Sequence, residues 1–383
     1  MRAEILVIGA GPTGCTVATT LARLGHDVLM IDRDDPPRVA VGESLIPVCR
    51  EVLDDLGVDM TGFLPKHGAV FRWGGRSVRF GFDEGMRPDH VLAWQTPRAE
   101  LDRRMREVAR GAGVRFAQTD VRAVDVPNRT VSTGLGEVEA GFLVDCGGRN
   151  QLLGRALGVR AKHPWLKNAA VGAWHRGVRV QDEEPGDVVI CAYDGGWFWF
   201  IPFADGTWSV GTTLTPRGPT GPDRWAEALA RCPDAQERLE GAERLEPFRG
   251  TSDISVSSTA FHGDGWALVG DAATFLDPVF STGIALGLFG GRDFARTWSA
   301  GGDLDAWEAR CRAAVQAFEP VVQAWYEGDR FLRVAFAEAE RHQPTVRKAI
   351  VSLLAGDVFD PDFTGPRRLG ARFDSIERMV LGA

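Results

Sequence analysis

The first apolar positions form an unbroken run. Residues Glu4 to Gly9 read EILVIG, the pattern of a strand buried on both faces of a parallel sheet. A helical stretch, CTVATTLARLG, follows and stops at Gly25, as helices often do. A second apolar run, Asp27 to Ile31, ends in Asp32. Together these predict a strand–helix–strand unit. Farther on the pattern predicts a helix over 97–111 and strands near 113–118, 121–125 and 141–145. Residues 169–215 alternate at period two in four runs, AAVGAWHRGVRV, DVVICAYD, GWFWFIPF and TWSVGTTL. Gly195-Gly196 and Asp205-Gly206 are turn signals between them, so an antiparallel sheet is predicted. Residues 222–242 read as helix, 263–298 as a return to the first unit, and 303–355 as amphipathic helix. The final stretch, with PDFTGPRRLG, reads as a loop and a weak terminal helix.

This order predicts an α/β fold. A discontinuous Rossmann-like domain, 1–165 and 250–300, encloses an antiparallel-sheet region at 166–249 and precedes a helical segment at 301–383. The region around Lys66 groups with the first domain. No internal repeat and no apolar stretch of membrane-spanning length interrupts the pattern. The chain has 383 residues and a net charge of −8, which argues against a nucleic-acid face and adds no sign of a membrane partner. The N-terminus carries no leader pattern, so a cytoplasmic location is expected. Six scattered cysteines, without a CxxC pair or a His-rich cluster, predict reduced thiols and no metal site.

Gly9-Ala10-Gly11-Pro12-Thr13-Gly14 is G-x-G-x-x-G in the context that gives it meaning, after a strand and opening a helix. Gly9 permits the tight turn, Gly11 lets backbone approach a pyrophosphate, and Gly14 lets helix and strand pack closely. The helix N-terminus, with Thr13, then holds the anion. Asp32, 23 residues after Gly9, is placed to accept ribose hydroxyls, and Arg33 suggests a possible 2′-phosphate partner. The motif alone leaves NAD(P) and FAD open.

Later segments resemble the p-hydroxybenzoate-hydroxylase-like FAD enzymes, with their glutathione-reductase-type fold. Gly270-Asp271-Ala272-Ala273 follows an apolar strand, as that family's second flavin-contacting motif does. The resemblance implies that Asp271 meets the ribityl chain. It also implies that the next helix points its N-terminus at the flavin ring, where a dipole favours an anionic reduced flavin. Gln95 to Asp102 resembles the element whose arginine, here Arg98, lies along FAD. Asp145-Cys146-Gly147-Gly148-Arg149 resembles the family's strand end.

Three further segments resemble the flavin-dependent halogenases. Trp197-Phe198-Trp199-Phe200-Ile201-Pro202 reads W-x-W-x-I-P; read without the resemblance, it is a buried aromatic strand ending at an edge proline. Phe275 to Gly283 reads F-x-x-P-x-x-S-x-G, with Pro278 and Gly283 beside the flavin. Backbone N–H groups around Ser281, Thr282 and Gly283 then suit a chloride or bromide; the plainer reading is a helix capped by Ser281 or Thr282. Lys66 to Gly74 reads K-x-G-A-x-F-x-W-G, the segment carrying the catalytic lysine of phenol- and pyrrole-type halogenases. Gly42-Glu43-Ser44-Leu45-Ile46-Pro47 also recurs in halogenase-like flavoproteins, which puts Glu43 and Ser44 at the cofactor. Taken alone, a lysine is a solvated surface residue.

The resemblance implies that FAD, reduced by a separate flavin reductase, and O2 turn halide into hypohalous acid. That acid travels to Lys66, which polarises it or forms a haloamine. Trp199 lies at the cofactor, and Trp73, Trp197 and Phe280 line the substrate pocket. His67 is a candidate base or a solvent-facing loop histidine. Tryptophan halogenases carry Glu where Phe280 stands, which points to the phenol and pyrrole branch. The chain ends soon after its last helices, so an open pocket is expected, taking an aromatic ring tethered to a carrier protein or peptide. Three alternatives share these motifs. They are a flavin hydroxylase of a small aromatic or a protein-bound tryptophan, a reductase of the geranylgeranyl-reductase type, and a non-catalytic flavin-binding partner.

Overall fold

The opening run becomes Arg2–Ile8, the centre of a parallel sheet. It pairs with Val28–Asp32 on one side and Gly136–Asp145 on the other. Arg115–Gln118 and Trp266–Leu268 extend the parallel order outward on the two sides. A computed structural model describes residues 1–35, 42–215, 221–252, 255–341, 343–359 and 373–382. The segment 361–370, expected as a loop, lies outside the described residues; the terminal helix is Phe373–Leu381. Ile5, Leu6 and Val7 are fully buried, which explains a run without polar alternation.

Among the described residues each of the two large sheets has eight strands. The middle of the second sheet is Ala169–Arg176, Thr207–Leu214, Gly196–Pro202 and Val188–Tyr193, joined antiparallel as the alternation predicts. Period two divides its side chains between two cores. Trp197, Trp199 and Ile201 face the core shared with the first sheet. Phe198 and Phe200 face a separate core with Val70, Val189 and Trp225.

One grouping differs from expectation. Gly68–Trp73 and Arg76–Gly81 extend the second sheet, with Gly68–Trp73 parallel to Val188–Tyr193. The segment after Lys66 therefore belongs to this sheet rather than to the parallel one. Its partner strand lies more than a hundred residues away, a pairing that local pattern does not encode.

Proline and glycine break up the long helical stretches. The 222–242 stretch forms Pro222–Ala230 and Pro233–Leu239, because Pro233 starts a new helix. The 303–355 stretch forms Leu304–Tyr326, Arg330–Arg341 and Pro344–Ala355. These helices pack across the edge of the second sheet. Phe71 meets Trp325 and Phe331, with ring centroids 5.8 and 5.7 Å away, and Trp73 meets Phe336. This aromatic packing covers that edge of the sheet. Among the described residues no helix is long and apolar enough to cross a membrane. None of the six cysteines is in a disulfide.

Candidate functional site

A cavity of about 310 Å³ lies between the two sheets. One end is the glycine loop. A Cβ on Gly14 would stand 1.9 Å from the Gly9 carbonyl oxygen, and one on Gly9 would stand 2.5 Å from the Cys146 carbonyl oxygen. Both glycines therefore serve close backbone packing. Gly11 is different: it lines the cavity, and a Cβ there would meet nothing within 4 Å. That open space above backbone N–H groups, at the start of Pro12–Arg23, fits a pyrophosphate. Asp32 closes this end: its Oδ2 accepts the Ala10 N–H at 2.7 Å. Arg33 turns outward to Asp34 and does not line the cavity, whereas Asp34 does. Thr13 reaches across to the second motif. Its hydroxyl occupies the space a Cβ would need on Gly270, which itself packs rather than lines.

Arg98 and Asp271 also line the cavity. Arg98 is held by Asp102 through Nε, at 3.0 Å. Burial pushes the Asp271 carboxyl up to about 6, against the pull of Arg149 and Arg98. Glu43 accepts the Trp174 indole N–H at 3.1 Å, and burial pushes its carboxyl up to about 7. The Trp199 indole lies over Gly211 and Gly172, where added Cβ atoms would come within 2.0 and 3.0 Å of its ring. Those two glycines give the ring its seat, and its Nε1 bonds Ser209 at 3.3 Å.

At the other end Pro278, Ser281 and Gly283 line the cavity. Thr282 begins the helix Thr282–Ser299 and is buried behind them. Ser281 is the N-cap, yet its hydroxyl makes no capping bond and its φ is 57°, a left-handed conformation that costs a non-glycine residue free energy. The helix N-terminus so aimed presents N–H groups and a positive dipole end toward the cavity.

Lys66 ends the short strand Leu64–Lys66 and is only 2% exposed. Its Nζ donates to Ser44 Oγ at 2.9 Å and to the Leu45 carbonyl at 2.8 Å, and sits 5.4 Å from the centre of the Phe82 ring. Ser44 itself lines the cavity, so Lys66 stands one hydrogen bond behind the cavity wall. Burial pulls its amine down to about 7, opposed chiefly by the Asp187 carboxylate. His67, next in sequence, is exposed and contacts the Val91 carbonyl.

Trp197 lines the cavity, but the other two residues assigned to a substrate pocket do not. Trp73 packs on Phe336, and Phe280 packs between Trp325 and Phe331. Both rings bury against helices whose positions local pattern does not give. Conversely, Arg106 lines the cavity without having been singled out, and Arg149, named only as the end of a family strand motif, lines it too. Arg106 lies two helical turns beyond Arg98, on the same face, and its Nε donates to the Ala10 carbonyl at 2.9 Å. That i, i+8 spacing was the available signal. Among the described residues no group of acidic, histidine or cysteine side chains suits a metal.

A family model described as tryptophan halogenase matches residues 4–85 and 88–344. A 1H-pyrrole-2-carbonyl-[peptidyl-carrier protein] chlorinase from Pseudomonas fluorescens is 27% identical, across 98% of this chain and 92% of its own length. Among solved structures, a flavoprotein/dehydrogenase from Cytophaga hutchinsonii is similar at a TM-score of 0.91 with 26% identity, covering 100% and 99% of the two chains. The myxobacterial chondrochloren halogenase, an FAD-dependent enzyme, is similar at 0.73 with 26% identity, covering 99% and 97%.

Proposed function

The chain belongs to the tryptophan halogenase family of flavin-dependent halogenases, with FAD as cofactor and halide as co-substrate, and we propose that it halogenates a pyrrole or phenol ring by way of Lys66. The observation that carries this reading is the buried Lys66 amine behind Ser44, at the wall of the cavity that fits the dinucleotide. When bound, reduced FAD with O2 supplies the two-electron oxidation of halide to hypohalous acid. A separate flavin reductase is the expected source of reduced FAD.

The roles of the chain's own groups follow from their positions. Gly11 and the N-terminus of Pro12–Arg23 hold the pyrophosphate, Asp32 the ribose, and Arg98 and Asp271 the middle of the cofactor. The N–H groups opening Thr282–Ser299 hold the halide. Trp197 and Trp199 fill the space beside the flavin and keep water and substrate away, which protects an oxidant that water would consume. Lys66, as ammonium, donates a hydrogen bond from Nζ to the hypohalous acid oxygen and makes the halogen more electrophilic; as amine, it takes the halogen on nitrogen as the halogen–oxygen bond breaks, and an amine proton leaves with the hydroxide as water. An amine near 7 supplies both forms at neutral pH.

The substrate class rests on Phe280, which stands where free-tryptophan enzymes carry Glu, and on the likeness to a chlorinase of carrier-bound pyrrole. The test offers pyrrole-2-carboxyl and hydroxybenzoyl groups, each free and loaded on a carrier protein, and free tryptophan, with mass-spectrometric detection. Halogenation of a pyrrole or phenol at least tenfold faster than of tryptophan is expected. Equal or faster turnover of tryptophan would contradict the assignment. The likeness to a flavoprotein/dehydrogenase favours hydride transfer as a second reading, which leaves the buried Lys66 without a role.

A further inference from the structure

The tyrosine at the end of Leu304–Tyr326 touches two of the family segments at once. The Trp197 indole Nε1 donates to the Tyr326 hydroxyl at 3.0 Å, and that hydroxyl donates to Asp277 Oδ2 at 2.9 Å. The direction is fixed by chemistry. An indole N–H can only donate, so the tyrosine proton must go onward, and a carboxylate only accepts. Asp277 is 1% exposed and anchors more than the tyrosine. Its Oδ1 accepts the Val279 N–H at 3.0 Å, which shapes the turn running into Ser281. Its Oδ2 also accepts Asn168 Nδ2 at 2.9 Å, and Asn168 in turn accepts the Thr215 hydroxyl at the end of the second sheet. Trp197 at one end of this chain of bonds and Pro278, Val279 and Ser281 at the other all line the cavity.

We propose that Tyr326 is a positioning residue of the halide-oxidising site: it locks the Trp197 indole to the Asp277 turn, which makes the helical segment after residue 300 part of that site. The proposal rests on the halogenase reading for its halide arm only. Packing and a hydrogen bond together fix the indole. Trp197 meets Trp199 at 5.9 Å and Trp325 at 6.3 Å between ring centroids, and the hydrogen bond adds a directional contact that sets its rotation. Without the hydroxyl, a buried indole N–H loses its acceptor and Asp277 loses one of its donors. The turn and the indole can then move independently, and the halide N–H groups lose their registration with the wall opposite.

Tyr326→Phe keeps the ring and removes both bonds, and its fold is checked by circular dichroism, with a wild-type spectrum expected. In FAD-free protein labelled with 15N-tryptophan, the Trp197 indole signal, assigned with Trp197→Phe, is expected to shift, and its exchange with water to quicken at least tenfold. In the FAD-bound enzyme the visible flavin band is expected to change shape. KM for halide is expected to rise about tenfold with kcat falling less than threefold, and FAD affinity to stay within twofold. Tyr326→Phe added to Trp197→Phe is expected to raise KM for halide less than twofold further. An unchanged indole signal overturns the proposal. So does a shifted signal with a wild-type flavin band and a wild-type KM for halide. If the wild-type protein incorporates no halide at all, the functional reading fails, and the indole signal and flavin band still decide for or against Tyr326.

Discussion

Lys66→Met is expected to lower halogenation at least a hundredfold, to leave FAD affinity within twofold, and to change the pH dependence of stability. A hundredfold is about 2.7 kcal/mol of barrier, within what one hydrogen bond aimed at developing charge supplies in a site without water. FAD affinity holds because Lys66 lies behind Ser44 rather than in the cavity lining. Peroxide release should persist, since the groups that hold the cofactor are untouched.

The stability effect follows from burial. The amine is pulled from 10.5 to about 7 in the folded protein. Below pH 7 the native lysine is charged while buried, and folding carries the full cost, on the order of a few kcal/mol. As pH rises from 7 toward 10.5 the unfolded chain also becomes neutral, and the cost fades. Methionine removes this cost but leaves the Leu45 carbonyl without its donor, which offsets part of the gain. Thermal melts should therefore show Lys66→Met gaining on the wild type most below pH 7 and least near pH 10. A pH-independent difference would mean that the lysine is not buried in its charged form.

Gly14→Ala and Gly11→Ala are expected to fail in different ways, though both remove a cradle glycine. At Gly14 the new methyl would overlap the Gly9 carbonyl, 1.9 Å away, so the helix must move off the strand. A loss of about 3 kcal/mol of stability and at least a hundredfold in FAD affinity is expected. At Gly11 nothing lies within 4 Å, so the melting temperature should stay within a degree or two of wild type. The methyl instead stands where the pyrophosphate approaches, and FAD affinity should fall at least thirtyfold. Flavin fluorescence titration beside calorimetry separates the two. If Gly11→Ala binds FAD normally, the cavity end at the glycine loop is not where the pyrophosphate sits.

What the sequence made legible was what backbone geometry enforces locally. The glycine loop needs particular residues at particular spacings, and the 197–201 strand sorts its own faces by alternation, so both were readable without a fold. The sites of Trp73 and Phe280 were not, because each ring is placed by a helix from the far end of the chain. The same holds for Tyr326, whose partners lie 49 and 129 positions away in sequence. Arg33 was placed from motif position alone; Asp32 ends the strand facing the cavity, and the Arg33 side chain turns to Asp34. The depressed amine of Lys66 also needed the structure. Its sequence neighbours, Pro65 and His67, are exposed, and only the fold brings Leu45, Phe82 and Asp187 around it.

The claim that matters most is that this chain uses its flavin to oxidise halide rather than to pass oxygen or hydride directly to a substrate. It is tested by giving the wild-type enzyme chemically reduced FAD, O2 and a reactive phenol over a range of chloride and bromide concentrations, and measuring halogenated phenol and peroxide together. Halogenated phenol that rises and saturates with halide, with peroxide falling in step, is the expected result. Peroxide at every halide concentration, with no halogenated phenol, would contradict it.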